Sequence, residues 1–341
     1  MKPEIWRLTL DTNPEDCNLS CIMCEEHSAH SGYIALKLDG KKRRMPKEWL
    51  EDIFLQAKEV GVREIIPSTM GEPLLYKHFD LITQLCRKHG ISMNLTTNGT
   101  FPGNAGKTIA DWADAIIPIT SDIKISWNGH TAETAEKIMQ GLDHDKAVKN
   151  LGQLLSFRNE YFQLHGHYCC ITLQLTFMQN NMHELAEIVK WASSIDVDRI
   201  KGHHLWTHFP ETEHLSFRNS AEGIEKWNEY VAAAFDAADK FRKPDGRKVL
   251  LENFLPLENK QQKEIPYAYA CPFLGKELWI SATGKISPCC APDEQRNTLG
   301  SFGNIHNNSI KEVIESADYR NFMANYKEHP LCKQCNMRLH V

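Results

Sequence analysis

Apolar and polar positions between residues 5 and about 205 follow a repeating pattern that predicts six strands, each followed by an amphipathic helix. The helices are recognised by apolar residues at positions i, i+3, i+4 and i+7, as at Leu50, Ile53, Phe54 and Ala57. Strands that alternate with helices form parallel sheets, so the pattern predicts an α/β fold. The predicted strands are residues 6–10, 64–68, 92–96, 123–127, 171–178 and 198–202.

Three of the predicted strands carry polar residues on one face. Successive side chains of a strand point to opposite faces. The residues that share the polar faces are Ser92, Asn94, Thr96 and Asn98 in the third strand, Lys124, Ser126 and Asn128 in the fourth, and Cys170, Thr172, Gln174 and Thr176 in the fifth. Buried parallel strands are normally apolar on both faces. The polar faces therefore predict a partial barrel around a wet lumen that holds a ligand.

The C-terminal third has a different organisation. Residues 217–242 are predicted to form one long helix, which ends before the turn at residues 243–246. Two short strands, a helix from about Ser309 and a Cys-x-x-Cys pair follow. This small, polar tail needs a metal staple, because apolar burial alone would not hold it together. We predict a barrel over residues 1–215, a helical linker over 216–260 and a metal-stapled domain over 261–341.

Composition and charge narrow the class of protein. The 341 residues are 42% hydrophobic and 24% charged, as in a folded globular protein. A formal net charge of −5 argues against a nucleic-acid or membrane-surface binder. No apolar run approaches a membrane span, and the first residues lack the shape of a signal peptide, so we expect a cytoplasmic protein. The basic run at residues 41–44 is interpreted as a solvated loop, or as a site that steers an anionic substrate.

The eleven cysteines are many for a cytoplasmic protein. In a reducing compartment such a pattern indicates metal binding or catalysis more often than disulfides. Cysteines with the spacing of metal ligands are Cys17, Cys21 and Cys24 near the N-terminus, and Cys271, Cys289, Cys290, Cys332 and Cys335 in the tail. Cys86 and Cys169 share faces with apolar residues and are interpreted as packing residues.

Three thiols within eight residues follow the first strand. Cys17, Cys21 and Cys24 can bind three irons of a 4Fe-4S cube and leave the fourth iron without a protein ligand. An iron without a protein ligand is a binding site. The alternative is a zinc site with His27 as the fourth ligand, because structural zinc takes four ligands.

The C-x-x-x-C-x-x-C motif after the first strand of six βα units resembles the radical S-adenosylmethionine (radical SAM) superfamily. Gly71, Glu72 and Pro73 resemble the family's Gly-Gly-Glu-Pro element, which binds the amino group of SAM, although Met70 replaces its first glycine. The resemblance covers residues 5 to about 205 and implies a partial (β/α)6 TIM-like barrel. Other implied cofactor contacts are Asn98, Ser126, Asn128 and Gln174, with residues 197–202 near the adenine.

This resemblance implies a specific chemistry. In the family, the open iron binds the amino and carboxylate groups of SAM, and reductive cleavage yields a 5′-deoxyadenosyl radical. That radical abstracts hydrogen from an unactivated carbon, so the lumen must exclude water and position the substrate. The implied cofactors are SAM and a 4Fe-4S cluster with three cysteine ligands. The implied reductant is a flavodoxin or ferredoxin, and we expect SAM to be consumed.

The tail resembles the twitch form of the SPASM extension found in many radical SAM proteins. Twelve residues separate Cys271 from Gly284, and Cys289 follows five positions after that glycine. The resemblance implies one auxiliary 4Fe-4S cluster with four ligands, which are Cys271, Cys289, Cys332 and Cys335. Cys290 is the alternative to Cys289, because adjacent residues of a strand face opposite ways. A four-cysteine zinc knuckle is the alternative for the whole tail.

An auxiliary cluster with four protein ligands suits electron transfer, which predicts a net oxidation of the substrate. The cysteine spacing is similar to that of the aminocyclitol dehydrogenase of butirosin biosynthesis. Only sixteen residues precede Cys17, which leaves no room for the winged-helix domain of many peptide maturases and favours a small polar metabolite. The alternatives are a maturase that crosslinks or epimerises a ribosomal peptide, and a non-catalytic Fe-S electron-transfer or zinc scaffold protein.

Candidate catalytic residues lie beyond the cysteine motifs. His203, His204, Trp206 and His208 cluster around the end of the sixth strand, where barrel enzymes form their sites. His203 or His204 is a candidate acceptor for the proton lost on oxidation, and packing against adenine is the alternative. Cys170 on the polar face is a candidate hydrogen-atom donor, or a small core residue.

Overall fold

The computed structural model describes residues 4–32, 43–68, 70–103, 106–258, 266–291, 293–335 and 337–339. Thr69 and the basic residues Lys41 and Lys42 lie outside the described residues. The chain divides into two compact units. The first unit consists of Met1–Pro14, Arg43–Met93 and Lys260–Val341, and the second of Glu15–Lys42 and Asn94–Asn259.

Strands and helices alternate along the described part of the chain, as predicted. The strands are β1 Arg7–Leu10, β2 Glu64–Ile66, β3 Ser92–Thr97, β4 Thr120–Ser126, β5 Cys170–Phe177, β6 Arg199–His204, β7 Leu250–Glu252, β8 Glu277–Ile280 and β9 Ile286–Ser287. The helices are α1 Leu50–Glu59, α2 Phe79–His89, α3 Ile109–Ile116, α4 Ala132–Ile138, α5 His144–His165, α6 Leu185–Ser194, α7 Ala221–Lys240, α8 Asp293–Asn297, α9 Ile310–Glu315, α10 Ala317–Asn325 and α11 Pro330–Lys333. Among the described residues, no helix combines the length and apolar character needed to cross a membrane.

In the first unit, β1 pairs in parallel with both β2 and β8. The register places Arg7 opposite Glu64 on one side and Glu277 on the other. Its guanidinium donates to both carboxylates, at 2.5 and 2.9 Å. Leu278 and Ile280 of β8 are fully buried. The C-terminal tail is therefore held by strand pairing and apolar burial, in addition to any metal that its cysteines bind.

In the second unit the strands follow the order β3-β4-β5-β6-β7. The pairs β4–β5, β5–β6 and β6–β7 are all parallel. Each apolar residue on one face of β5, from Ile171 to Phe177, is completely buried, whereas Cys170 and Gln174 on the other face are partly accessible. The predicted alternation is present, and it separates an apolar face that packs against the helices from a polar face.

Two elements differ from the sequence-based prediction. β7 was not predicted, because its three residues are too few to show a period and Leu250 is 64% exposed. The long helix is α7 and begins at Ala221, four residues later than the prediction. Ser220 sets this start, because its hydroxyl accepts a hydrogen bond from the N–H of Gly223 at 3.0 Å and caps the helix.

A buried network of charges joins α5 to the turns before β6 and after α7. Arg158 is fully buried and donates to Asp198 (2.6 Å) and Asp196 (3.2 Å). Lys243, also buried, lies 2.5 Å from Asp198 and 3.2 Å from Asp196. Burial opposes the charge on Asp198, but Arg158 and hydrogen bonds from Lys243 and Tyr168 lower the pKa of Asp198 below its ordinary value. Two cations balance two carboxylates here.

Replacing Arg158 with methionine should lower the free energy of unfolding by about 3–5 kcal/mol, because two buried carboxylates would remain with one cation. Urea unfolding followed by circular dichroism measures the difference. Lys248→Met is the control, since it removes an ion pair with Asp239 whose two side chains are 51% and 65% exposed. A loss of stability no greater in Arg158→Met than in this control would contradict the role of the network.

Candidate active site

The loop that carries the three N-terminal cysteines is anchored within the second unit. The N–H of Ser20 donates to the carbonyl of Gln140 (2.9 Å), and that of Ile22 donates to Ile138 at the end of α4 (3.0 Å). Leu19, directly before Ser20, is buried and lies next to Gly141. Backbone hydrogen bonds and one apolar side chain thus position the loop without using the thiols.

The three thiols of this loop share one electrostatic environment. Burial raises the pKa of Cys21, and the charges of Cys24 and Cys17 raise it further. Burial also raises the pKa of Cys24, although the backbone N–H groups of His27 and Glu26 oppose this rise. All three thiols are partly accessible, and thiols whose charge is opposed by burial and by their neighbours need a cation to become thiolates together. The iron core of a cluster supplies such a charge, so these residues fit a cluster.

The sequence also allows a closed zinc site in this loop, with His27 as the fourth ligand. Within the described ranges, which include Cys17, Cys21, Cys24 and His27, no three His, Cys, Asp or Glu side chains are grouped as ligands of a single metal ion.

Asn98, at the end of β3, connects the strand to the cysteine loop. Its side-chain amide donates to the Asn18 side-chain oxygen at 2.9 Å and faces the Cys17 sulfur at 3.8 Å. Its own oxygen accepts from the backbone N–H and hydroxyl of Thr100, at 3.0 and 2.7 Å. Asn98 was predicted as a cofactor contact, and the structure gives it a role in positioning the loop.

The Gly-Glu-Pro element lies in the first unit, directly before a short 3-10 helix. Glu72 is buried and its carboxylate accepts a hydrogen bond from the N–H of Leu74 (3.1 Å), so it caps that helix. The side chain of Asn13 donates to the backbone carbonyl of Glu72 at 2.8 Å. Pro73 is buried, whereas Met70 and Gly71 are partly exposed. The turn is rigid and presents Met70 and Gly71 at its accessible side.

On the polar face of β4 to β7, the strand register aligns side chains in layers. One layer contains Lys124, Thr172 and Arg199, the next contains Ser126, Gln174, Lys201 and Glu252, and the last contains Thr176 and His203. Arg199 pairs with Asp122 and, at 3.1 Å, with Glu252. Lys201 lies 2.5 Å from Glu252. Burial opposes the charge on Glu252, but Lys201, Arg199 and Lys124 lower its pKa. The lumen is therefore lined by fixed charges.

His203 belongs to the last of these layers and is held between two side chains of β5. Its Nδ1 lies 3.3 Å from the Gln174 amide nitrogen, and its Nε2 lies 3.3 Å from the Thr176 hydroxyl. The donor and acceptor roles in these two contacts depend on which nitrogen carries the proton of the neutral ring. Desolvation, helped by the charge of Lys201, lowers the pKa of His203 to about 4, although the residue is exposed to solvent. The ring is neutral at physiological pH.

His204 points to the opposite face of β6 and does not share this environment. Its ring lies among Phe177, Phe217 and Trp227, with centroids 5.2 to 5.8 Å away. Its Nδ1 is buried and has no partner among the described residues. Desolvation and the charge of Arg218 lower its pKa to about 4. The structure thus separates the two predicted histidines and places His204 in an aromatic core.

Cys170 does not lie with His203 either. It is the first residue of β5 and Thr176 is the seventh, so about 20 Å of strand separates their positions at about 3.3 Å per residue. Burial, with the charges of Asp122 and Asp198, raises the pKa of the Cys170 thiol to about 11. The thiol lies at the end of the strand opposite to the one where His203 is found.

The remaining predicted contacts lie at the ends of β4 and β6. Ser126 is partly exposed and aligned with Gln174. Asn128 is buried, and its side-chain oxygen accepts from the N–H of Thr176 at 2.8 Å, so it holds the end of β5. A Cβ at Gly129 would lie 2.5 Å from the Ala135 nitrogen, which explains the glycine. Trp206 and His208, beyond β6, are partly exposed.

Five cysteines of the tail form a second group, in the first unit. Burial raises the pKa of Cys332, and the charges of Cys289, Cys335 and Cys271 add to it, so these thiols lie close together. Cys290 donates a hydrogen bond to the Cys289 sulfur, which lowers the pKa of Cys289. Cys289 is half-buried and Cys290 is exposed. The charges of Cys271 and Cys335 act on Cys290 as well, so both adjacent sulfurs lie near the other tail thiols, and Cys289 as the ligand stays a prediction.

Two tyrosines support the fit of this group to an iron-sulfur cluster. The Cys271 N–H donates to the Tyr326 hydroxyl at 3.1 Å. The Tyr319 hydroxyl is buried; a backbone hydrogen bond from Gly275 lowers its pKa, but the described residues offer no acceptor for the hydroxyl proton. Burial, with the charge of Cys271 contributing, raises the pKa of Tyr319 to about 12. A buried hydroxyl needs an acceptor, and thiolate or sulfide sulfur near Cys271 would provide one.

Three residues with marked roles were not predicted from the sequence. Asn13 follows β1, and its place at the carboxyl end of a parallel strand was the available signal. Glu252 lies on β7, which was itself not predicted. Arg338 bonds the backbone near the tail cysteines, and only its nearness to Cys335 in sequence pointed to it.

Comparison with known proteins identifies the family. The sequence profile of the radical SAM superfamily matches residues 14–192, more than half of the chain. The chain belongs to the radical SAM superfamily. The profile of the SPASM iron-sulfur cluster-binding domain matches residues 271–336.

Two curated relatives from Pyrococcus are similar over different lengths. A probable GTP 3′,8-cyclase of Pyrococcus abyssi is 31% identical over 86 residues, which cover 25% of this chain and 25% of that protein. A tungsten-containing aldehyde ferredoxin oxidoreductase cofactor-modifying protein of Pyrococcus furiosus is 21% identical, over 94% of this chain and 85% of its own length.

Solved structures of radical SAM proteins share the fold. Streptococcus suis SuiB bound to the precursor peptide SuiA aligns with a TM-score of 0.64 at 15% identity, over 94% of this chain and 67% of SuiB. The structure of anSMEcpe with bound AdoMet and Cp18Cys peptide aligns with a TM-score of 0.63 at 18% identity, over 97% and 86% of the chains. BtrN in complex with AdoMet and 2-DOIA aligns with a TM-score of only 0.46, which is too low to indicate function.

These matches confirm the predicted family and fold class, an α/β partial barrel of the TIM type with a C-terminal cluster-binding domain. They also confirm 4Fe-4S clusters and SAM as the cofactors. The assignment of individual ligands, contacts and domain boundaries stays a prediction.

Reconstituted protein should contain about eight irons per chain, and replacing Cys17, Cys21 and Cys24 together with alanine should leave about four. The reason is that the two cysteine groups lie on separate loops and are positioned independently. Iron and acid-labile sulfide analysis measures the loss. Cys86→Ala and Cys169→Ala are controls that should keep all the iron, since both thiols are buried among apolar residues. Unchanged iron in the triple variant would refute the ligand assignment.

Proposed function

We propose that the chain is a radical SAM oxidoreductase that carries out a net two-electron oxidation of a small polar metabolite at a carbon bearing an O–H or N–H group. When bound, SAM and its cluster supply the radical that takes the hydrogen atom from carbon, and the auxiliary cluster accepts the electron that the substrate gives up. The substrate also loses one proton and becomes a carbonyl or imine. The protein must therefore bind two clusters, position SAM and accept that proton.

We assign the binding of the cofactors to the following residues. Cys17, Cys21 and Cys24 bind the cluster that leaves an iron open for SAM. The residues assigned to SAM are Met70, Gly71, Glu72, Pro73, Asn98, Ser126, Asn128 and Gln174. Cys271, Cys289, Cys332 and Cys335 bind the auxiliary cluster. The exposed Cys290 donates a hydrogen bond to the Cys289 sulfur.

The observation that carries the proposal is the neutral His203. A general base must be unprotonated at the working pH and must offer a lone pair. The His203 ring is exposed, so the substrate can replace one of its contacts with Gln174 and Thr176, and the lowered pKa keeps the ring neutral. His203 lies at the carboxyl end of β6, where barrel enzymes form their sites. We assign it the proton lost by the substrate, in preference to His204 or Cys170.

The charged lumen supports a polar substrate. Lys124, Arg199 and Lys201, with the carboxylates Asp122 and Glu252, form a fixed network on the same face as His203. An apolar substrate would remove water from these groups without replacing its hydrogen bonds, which is costly. A substrate rich in hydroxyl or amino groups replaces those hydrogen bonds.

A second candidate is the maturation of a ribosomal peptide. It is favoured by the folds of SuiB and anSMEcpe, whose structures contain a precursor peptide and a Cp18Cys peptide. In either reaction we assign the supply of electrons to a flavodoxin or ferredoxin. We assign the protein to the cytoplasm, because a reducing compartment keeps cysteines free for metal binding.

Anaerobic turnover with SAM should convert substrate C–H into 5′-deoxyadenosine. We expect deuterium from the substrate carbon to appear in 5′-deoxyadenosine, with a carbonyl or imine product, when alcohols or amino sugars are supplied. Mass spectrometry of both products measures this. Deuterium transfer from peptides alone would establish the second candidate, and the complete absence of 5′-deoxyadenosine under reduction would exclude catalysis of this type.

Replacing His203 with glutamine should lower the rate of substrate oxidation by about 10²–10⁴-fold while 5′-deoxyadenosine still forms, because the proton acceptor is lost after hydrogen abstraction. His204→Phe is the matched control and should oxidise substrate normally, since it keeps the aromatic packing. The unmodified enzyme should show no inflection between about pH 6 and 8, where an ordinary histidine titrates, because His203 stays neutral above about 4. Equal loss in both variants would contradict the assignment.

A further inference from the structure

Arg338 is a buried cation of the tail whose hydrogen bonds all go to backbone carbonyls. The residue as a whole is only 4% exposed. The guanidinium donates to the carbonyl of Tyr269 at 2.7 and 2.9 Å, to those of Pro266 and Tyr267 at 3.1 and 3.2 Å, and to that of Cys332 at 3.3 Å. In the described part of the chain, no carboxylate forms an ion pair with it.

A second buried arginine of the same tail shows what the ordinary arrangement is. Arg296 is 6% exposed and donates to Asp11 at 3.0 Å, so its charge is neutralised within the protein. Burying a cation without an anion is costly, because carbonyl dipoles replace its hydrogen bonds to water but leave its full charge unbalanced. Among the described residues, the thiolates of the tail are the anions left to balance Arg338.

The thiolates nearest to Arg338 belong to the auxiliary cluster site. Arg338 bonds the carbonyl of Cys332, and the neighbouring residue Leu339 pairs with Ala270, directly before Cys271. The guanidinium thus lies against the backbone of the Cys332 ligand, in a position fixed by five hydrogen bonds and a strand bridge.

We propose that Arg338 is the counter-charge of the auxiliary cluster and raises its reduction potential, so that the cluster accepts an electron from the substrate more readily. Four thiolates make the site negative, and reduction adds one more negative charge. A buried cation stabilises the more negative state more strongly than the oxidised one, because little solvent screens it. This inference rests on the proposed oxidation to explain why a raised reduction potential is useful. The potential itself can be measured without that reaction.

The test uses the full chain in which Cys17, Cys21 and Cys24 are replaced by alanine, so that the auxiliary cluster is the only one present. Its midpoint potential is measured by anaerobic redox titration followed by electron paramagnetic resonance, without substrate. Arg338→Met should lower the potential, and Arg338→Lys should retain most of it because the charge remains. Lys333→Met is the control: it removes a cation between Cys332 and Cys335 that is 57% exposed and paired with Glu328, and it should leave the potential unchanged.

The possible outcomes distinguish an electrostatic role of Arg338 from a purely structural one. An unchanged potential in an Arg338→Met protein that holds about four irons would overturn the proposal, as would an equal fall in Arg338→Met and Arg338→Lys. If Arg338→Met does not retain the cluster, Arg338→Gln keeps hydrogen-bond donors without charge. Cluster loss in both neutral variants but not in Arg338→Lys would support the counter-charge role. The expected shift together with no oxidation of any substrate would overturn the proposed function alone.

Discussion

Charges enclosed by protein must be balanced, and this constraint explains much of the interior. A parallel strand with one polar face carries charged residues away from bulk water, where each needs a partner. The second unit meets this need twice. Arg158 and Lys243 face two aspartates, and the lumen residues Arg199 and Lys201 converge on Glu252. Both networks hold together elements that are distant in sequence.

The pairing and accessibility of the charged side chains distinguish charges that stabilise the fold from charges that are available for chemistry. In the Arg158 network every charge has its partner, and Arg158 and Lys243 are nearly inaccessible while 21% of the Asp196 side chain is exposed, so the network fastens α5 to the turns around it. The lumen network is also paired but remains partly accessible, as 25% of the Arg199 side chain and 31% of the Lys201 side chain are exposed. Arg338 is buried and bonded to carbonyls alone, which leaves its charge for the thiolates of the tail.

Both cysteine groups are positioned by contacts that do not involve sulfur chemistry. Backbone bonds to Gln140 and Ile138 hold the N-terminal loop, and Asn98 fixes Asn18 beside Cys17. In the tail, the pairing of β8 with β1 and the bonds of Arg338 perform the same task. Loops held in place before a cluster binds lose less conformational entropy when it does. The apolar and polar contacts thus position the thiols so that a bound metal can neutralise the charge of the thiolates.

Local patterns in the sequence were enough to find the six strands, the polar faces and the three-cysteine motif, because each depends on a period or spacing within one segment. The sequence left His203 and His204 as equal candidates, and the folded chain separated them by placing them in different surroundings on opposite faces of β6. The tertiary structure decided what depends on contacts between distant segments. It paired Glu252 on an unpredicted three-residue strand with Lys201, and it placed Asn13 against the carbonyl of Glu72. It also left Arg338 buried beside Cys332 without a carboxylate, which no spacing could reveal because burial is a property of the folded chain.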